Sequence, residues 1–398
     1  MPLQDYLTKY YTEPLNKEEF SAHFLDKFGV DVRYENDLVL FKYNMLCAKW
    51  SFELVHECRG HIWRHNSDGS WVRVCNPPSK FFNLMEGNCP LFNKEDFNNN
   101  VPQLQLISKE DGSLLTVWWD STLNDWRAST SGSITPFKVG DYDITFSELF
   151  WKLLGEDKKS ILTSIGKQFT FCFELCSAKN RIVSQYSTDR IYLLLVRHNE
   201  YGTYLVPSLY HEQLGVYLPR SFFLYELEIK TQEDLVRWVE DNTTDDADCK
   251  YKEGYVGYIS GKPIFKAKCQ NYLSRHKFSG GDVGATRNNI IEVFFSGCLD
   301  DYYDALVDSM KLFADKLKEK AIILNQKVNA MISEMKGKSF PTQKDYALYV
   351  LANVDKTFSS FFFANKEKIL SGEITNDDFV HWLKVNQSKF ESHWKGQE

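Results

Sequence analysis

No run of about 18 consecutive apolar residues occurs anywhere in this 398-residue chain, so no membrane-spanning helix is expected. The opening segment, MPLQDYLTKYYTEPLNKEEF, is polar and acidic and lacks the apolar centre of a signal peptide; an intracellular, cytoplasmic protein is the expectation. Cys-x-x-Cys is also missing. Nine scattered cysteines (Cys47, Cys58, Cys75, Cys89, Cys172, Cys176, Cys249, Cys269 and Cys298) are odd in number, which points to buried reduced thiols rather than a disulfide framework or a structural zinc site. Cys172 and Cys176 resemble half of a metal site, but no second ligand pair with metal spacing follows them. A basic excess is lacking too: 47 Lys and Arg against 54 Asp and Glu leave a net charge of −7, which argues against coating nucleic acid over the whole surface. That balance still permits a local basic cleft in an acidic body. Internal repeats and low-complexity linkers are absent.

What the chain has in quantity is aromatic side chains, 15% of the total, enough for a large core with rings left over for a cleft or for stacking on bases. Its length suits one large domain and a smaller one. Residues 1–284 alternate short β-type runs with helical patches. LVLFKYNML (38–46), HIWRH (61–65), WVRVC (71–75), LLTVWWD (114–120), FTFCFEL (169–175), IYLLLVR (191–197), YVGYIS (255–260) and PIFKAK (263–268) are rich in β-branched and aromatic residues and are punctuated by Asn, Asp, Gly and Pro. Ser260-Gly261 reads as a tight hairpin between the last two. Helices are expected at 146–156 and 231–241, the second capped by Thr231 with Asp234. The pattern predicts an α+β domain with largely antiparallel sheets.

The character changes over residues 285–398. Tyr303, Leu306, Met310, Phe313, Leu317, Ala321, Leu324, Val328, Met331 and Met335 recur at helical steps, predicting one long amphipathic helix over 301–337. Further helical patterns cover 342–353, 356–369 and 375–395, the last opening on the capping pair Thr375 and Asp378. An all-α C-terminal domain is the expectation.

The sharpest local feature is Lys109-Glu110-Asp111-Gly112-Ser113, set between the apolar segments LQLIS and LLTVWW, which places the lysine at a strand edge. Alone, it reads equally well as a polar turn. Four other segments accompany it in order: Glu57-Cys58-Arg59-Gly60, Lys80-Phe81-Phe82-Asn83, Phe173-Glu174-Leu175, and the pair Glu253-Gly254-Tyr255-Val256 and Phe265-Lys266-Ala267-Lys268 that flanks the hairpin. Lys266 and Lys268, two apart on a strand, point to one side. Singly, these are solvated strand lysines, a turn glutamate and a surface arginine.

As an ordered set the segments resemble the covalent nucleotidyltransferase superfamily of ATP-dependent ligases and capping enzymes, and most of all the phage-type RNA ligase 1 family. KEDG at 109–112, FEL at 173–175, EGYV at 253–256 and FKAK at 265–268 carry the likeness; FKYN (41–44), ECRG (57–60), KFFN (80–83) and NRIV (180–183) look similar to that family as well. The resemblance spans roughly residues 35–280. It implies a nucleotidyltransferase domain whose antiparallel sheets flank an ATP cleft. It implies RNA-end joining, of a 5′-phosphate to a 3′-hydroxyl, through lysyl-AMP on Lys109 and an adenylylated RNA. It also implies roles: Lys266 and Lys268 on the α-phosphate, Arg59 and Lys80 on the β- and γ-phosphates, Tyr43 a hydroxyl contact, Phe82 the surface for adenine, Glu110 and Gly112 part of the nucleotide site, and Glu174 and Glu253 the holders of a hydrated Mg2+ or Mn2+. The chemistry requires such types. A free lysine is protonated at neutral pH, and nearby cations in a desolvated site favour its neutral, nucleophilic form. Cations also stabilise the transferring phosphate, and carboxylates with water suit Mg2+.

One departure stands out. The family pattern often has a lysine in the Gly-Ser strand after the nucleophile, where this chain has Ser131. Either another cation compensates, with Lys138 the candidate, or the nucleotide contact is made differently. DNA ligases and capping enzymes are the rival readings. They usually carry an arginine two residues after the motif glycine, here Leu114, and append a small β-barrel where this chain is helical. An RNA-binding relative without catalysis is a further alternative. The expected partners are RNA ends, with cleaved tRNA as the guess from resemblance, and a separate end-healing kinase or phosphatase; a monomer and no membrane association are expected.

Overall fold

Alternating apolar side chains drive the first unit into sheets, and in this computed structural model residues 1–398 are described apart from 45–46, 140–141, 181–183, 245–248, 251, 270–271, 273–286, 296–298, 300–302, 304–307, 357 and 387–398. Two compact units emerge, Met1–Gly281 and Asp282–Glu398. The architecture is mixed α/β, with largely antiparallel sheets and C-terminal helices. Of the family-like segments, Arg181, Ile182 and Val183 lie outside the described residues, as do Cys298 and most of 301–307.

The first sheet holds β1 (Val30–Glu35), β2 (Leu38–Tyr43), β3 (Arg59–His65) and β4 (Trp71–Cys75) in chain order, all antiparallel. Two helices that sequence periodicity did not single out, Leu3–Tyr10 and Lys17–Phe28, cover one face. They bury Leu3, Tyr6, Leu7, Phe20, Phe24 and Phe28 against Val39, Phe41, Trp63 and Trp71. Asn16 caps the second helix by accepting from the Glu18 and Glu19 amides, and Gly29 ends it in the left-handed region.

Two five-stranded sheets frame the site. β5 (Phe82–Asn83) and β6 (Leu104–Lys109) are followed by β7 (Ser113–Asp120), β8 (Asp125–Thr130), β9 (Phe169–Cys176), β10 (Gln185–Tyr186), β11 (Arg190–His198), β12 (Tyr204–Leu205), β13 (Ser221–Phe223), β14 (Cys249–Lys250), β15 (Gly254–Ile259) and β16 (Lys262–Lys268). One sheet runs β12-β11-β9-β7-β8 and the other β13-β6-β15-β16-β5; β10 and β14 pair separately. β9 is central and buried along its length. Phe169, Phe171 and Phe173 pack with Phe146, Leu149 and Phe150 of the helix Phe146–Leu154, which leaves Thr170, Cys172 and Glu174 on the opposite face. The β15–β16 hairpin turns on Ser260 and Gly261, with φ of 50° and 78°, the two-residue geometry that matches strand twist.

The elements described in the second unit are helices: Arg287–Phe295, Asp308–Met335, Gln343–Asn353, Ser359–Ala364, Lys366–Ser371 and Asn376–Val385. The long one buries Phe313, Leu317, Ala321, Leu324, Val328 and Met335, the stripe set by their spacing. The pattern over 356–369 resolves into two short helices broken at Asn365. Thr375 and Asp378 form the expected capping box. Among the described residues no helix is long and apolar enough to cross a membrane.

Candidate active site

Three adjacent strands converge on one carboxylate. Gly254, the first residue of β15, lies between Lys109 at the end of β6 and Lys268 at the end of β16 in the ladder. Glu253 immediately precedes it and so stands between both lysines. Its Oε2 is 2.6 Å from Lys109 Nζ and its Oε1 2.6 Å from Lys268 Nζ. Glu253 is buried; desolvation alone would raise its carboxyl, but the Lys109 and Lys268 ammoniums outweigh burial and hold it below the usual carboxylate range.

The turn after Lys109 is locked from several directions. Asp111 is buried; Tyr272 Oη donates to its Oδ1 at 2.9 Å and the Ser184 amide to its Oδ2 at 2.7 Å. Its own amide donates to Tyr186 Oη, 2.9 Å. Burial, then the charges of Cys176 and Glu110, push the Tyr186 phenol far up, so it stays a donor to Glu110 Oε2 at 3.2 Å. Ser108 Oγ donates to the other Glu110 oxygen at 2.9 Å. Gly112 is held against β9: a Cβ there would fall 2.3 Å from the Leu175 carbonyl oxygen, so any side chain would force the turn off the strand. That approach lets the Gly112 amide donate to Glu174 Oε1 at 3.0 Å.

Glu174 is the electrostatic opposite of Glu253. Burial, only partly offset by Lys109 and reinforced by the charge of Glu253, pushes its carboxyl up to about 8. A carboxylate this poorly compensated fits a site that receives a cation. Glu253 has one ammonium on each oxygen, so its carboxylate would meet such a cation only through water. A donor set of two carboxylates and water suits Mg2+ or Mn2+; among the described residues no cluster of three or more His, Cys, Asp and Glu is available to grip a metal directly.

A cavity of about 240 Å3 opens beside these groups. Its apolar wall comes from Pro78, Phe81, Ile107, Leu114, Leu195, Val256 and Tyr258; Arg59, Lys109, Glu110, Gly112 and Glu174 supply the polar side. The Arg59 guanidinium lies 4.8 Å from the Phe81 ring centre. Lys80 sits in an aromatic cage, its ammonium 5.4, 5.3 and 5.3 Å from the ring centres of Tyr43, Trp50 and Phe82. Burial would raise the Tyr43 phenol, but Lys80, Arg59, Lys266 and Lys42 together bring it below its ordinary value, which marks a concentration of positive charge at one edge of the first sheet.

The structure thus gathers Lys109, Glu253 and Lys268 in direct contact, sets Arg59, Glu110, Gly112 and Glu174 on the same cavity, and clusters Lys80 and Lys266 around Tyr43. Phe82 is placed elsewhere than expected. It is 2% exposed and packed on Trp50 and His56, while its neighbour Phe81 lines the cavity; successive residues entering β5 face opposite ways. Lys138 does not reach the site's cations: its ammonium pairs with Asp143 at 2.5 Å and is 66% exposed. Sequence reading missed Phe81, Tyr186, Tyr272 and Lys42. Phe81 could have been found from strand parity and Lys42 from its place in FKYN (41–44); nothing local signals the two tyrosines.

The family model described as RNA ligase matches residues 57–279. A Thermovibrio ammonificans protein named "Putative RNA ligase" is 29% identical over 213 residues, 52% of this chain, and the chain spans 50% of that relative's length. Among solved structures, an archaeal ATP-dependent RNA ligase is 13% identical with a TM-score of 0.45, covering 81% of this chain and 80% of its own. A Naegleria gruberi RNA ligase mutant with ATP and Mn is 16% identical with a TM-score of 0.38, over 52% of this chain and 60% of its own.

Proposed function

The chain belongs to the RNA ligase family, and on that premise we propose that it joins RNA ends using ATP, with AMP carried covalently on Lys109. The observation that supports this most is the Lys109–Glu253–Lys268 row beside a cavity that is apolar on one wall and charged on the other.

In the first step the neutral amine of Lys109 forms a bond to the α-phosphorus of ATP while the bond to the bridging oxygen of the β-phosphate breaks, and pyrophosphate leaves. Glu253 Oε2, 2.6 Å from Nζ, is the nearest acceptor for the proton the lysine must shed. Adenine occupies the apolar wall beside Phe81. Lys266 and Lys268 balance the charge on the α-phosphate; Arg59 and Lys80 hold the leaving phosphates, with the Tyr43 hydroxyl beside them. A divalent cation, held by Glu174 and through water by Glu253, would supply positive charge to the phosphate oxygens. In the second step an oxygen of an RNA 5′-phosphate attacks the lysyl-AMP phosphorus, the N–P bond breaks and the lysine regains a proton. In the third, a 3′-hydroxyl attacks the activated 5′-phosphate, gives up its proton, and AMP departs. Residues 1–284 perform the adenylyl transfer; residues 285–398 choose among RNA ends, broken tRNA loops being the substrate proposed.

Incubation with α-labelled ATP tests the reading. Label should enter the protein in an acid-labile, alkali-stable bond, fall to background in Lys109→Ala, and be badly reduced in Glu253→Ala. Full joining by either variant would show the site to be elsewhere, and label from GTP in place of ATP would favour capping chemistry. A panel of single-stranded RNA, a cleaved anticodon stem-loop, nicked duplex RNA and nicked DNA then defines the substrate.

A further inference from the structure

β2 carries one cation that the proposed chemistry leaves unused. Lys42 lies opposite Arg59 in the β2–β3 ladder. Its side chain reaches the loop after β8: the ammonium would stand 3.0 Å from a Cβ built on Gly132, and the Arg33 guanidinium 3.7 Å from the same point. Arg33 Nη1 donates to the Gly132 carbonyl, which fixes that loop. The loop in turn packs on the residue next to Arg59, since a Cβ on Gly60 would fall 2.7 Å from Ser131 Cα. The backbone position where related ligases often carry a lysine, Ser131, therefore lies beside an ammonium that arrives from another strand.

The surroundings of Lys42 are those of a site awaiting an anion. Burial first, then Arg33, press its ammonium below the usual lysine range, with Tyr43 and Asp31 opposing. Among the described residues no carboxylate comes within ion-pair distance of its Nζ. Holding a half-buried ammonium near the Arg33 guanidinium is unfavourable unless a negative ligand completes the set. The Tyr43 phenol, next to Lys42 in β2, is brought down by Lys80, Arg59, Lys266 and Lys42 together, so the ladder pair Lys42 and Arg59 belongs to one region of positive charge.

We propose that Lys42 binds the β- and γ-phosphates of ATP beside Arg59, in the place that a lysine at position 131 would otherwise fill. This rests on the ligase reading above, and the α-phosphate is excluded as its ligand because that group must sit at Lys109 between Lys266 and Lys268. The consequence is a division by step: pyrophosphate is present only while Lys109 is being adenylylated, so Lys42 serves that step and not the sealing of RNA that already carries AMP.

The test uses the full chain with Lys42→Ser, Ser131→Lys and the double swap, each checked for folding by thermal melting. Single-turnover labelling of Lys109 is measured against ATP concentration, and joining of pre-adenylylated RNA is measured in parallel. Losing one charge-assisted phosphate contact should raise the ATP needed for half-maximal labelling in Lys42→Ser roughly 10- to 100-fold. The swap should recover most of that loss, and joining of pre-adenylylated RNA should stay at the wild-type rate. Wild-type ATP dependence in Lys42→Ser, or a swap no better than Lys42→Ser, overturns the proposal. An equal loss in the pre-adenylylated reaction overturns it as well, by moving Lys42 to an RNA phosphate. Should Lys42→Ser fail to fold, Lys42→Gln takes its place with the same expectations. A wild-type protein that takes no label from ATP refutes the ligase reading itself.

Discussion

Glu174 and Glu253 are buried in one site, yet their neighbours drive them apart: two ammoniums hold Glu253 ionised, while Glu174 has burial and a second negative charge against it. The sign of the effect on stability follows from the folded value. Glu174 rises from 4.5 to about 8 on folding, so it takes up a proton as the chain folds, and the associated stability is present below 4.5 and lost as pH climbs towards 8. In protein stripped of divalent cations, Glu174→Gln should match the wild type near about pH 5 and exceed it in melting temperature by several degrees near about pH 8. Added Mg2+ should narrow that gap, and a gap independent of pH would show that Glu174 is not held protonated. Glu253→Gln should do the reverse at neutral pH, because it leaves Lys109 and Lys268 facing an uncharged amide; melting curves should show a loss of a few kcal/mol, about 3–5 for a buried pair broken on one side. These four residues were legible in the sequence because the proposed transfer of a phosphoryl group to lysine would limit the side-chain types that can serve. Tyr186 and Tyr272 were not, because each reaches the site from a distant segment: Tyr272 meets Asp111 across 161 residues, and no local spacing encodes that contact.

Elements show a different limit. The β runs were readable from composition and alternation, and β16 with its capping hairpin forms over Lys262–Lys268, one residue longer than the 263–268 run. The N-terminal helices went unread because their apolar positions, Leu3 and Leu7 in one and Phe20, Phe24 and Phe28 in the other, are few and interspersed with polar and charged neighbours. Parity, the face to which a given strand residue points, was the other gap. One step separates Phe81, on the cavity, from Phe82, under Trp50 and His56. The two should respond oppositely to truncation. Phe82→Ala empties a packed position and should cost about 3–5 kcal/mol in a denaturation experiment. Phe81→Ala should leave stability close to wild type and weaken the ATP dependence of Lys109 labelling instead. Equal loss of stability in both would mean that Phe81 is a core residue and that adenine is held elsewhere.

At the scale of the molecule, every residue assigned to adenylyl transfer lies within Met1–Gly281, and that segment buries its own cores: the two N-terminal helices over the first sheet, and the aromatic face of β9 under Phe146 and Phe150. A unit with its own core and its own site has what it needs to fold and react without the residues that follow. The helices described in Asp282–Glu398 likewise bury apolar side chains of their own: Leu317, Ala321 and Val328 on the long helix, and Phe361, Phe379 and Leu383 on the later ones, with Phe361 against Phe379. Such autonomy is what a specificity module requires, since it can vary without disturbing the reaction. Removal of residues 285–398 should therefore leave labelling of Lys109 by ATP within a small factor of the full chain, while the ranking of RNA ends in a sealing panel changes. The two readouts have to be taken on the same soluble truncation. If labelling fails in a protein that still melts cooperatively, the helical unit contributes to adenylylation and the division of labour is wrong; if labelling and end ranking both persist, RNA choice resides in the first unit, most economically on the cationic edge formed by Lys42, Arg59, Lys80 and Lys266.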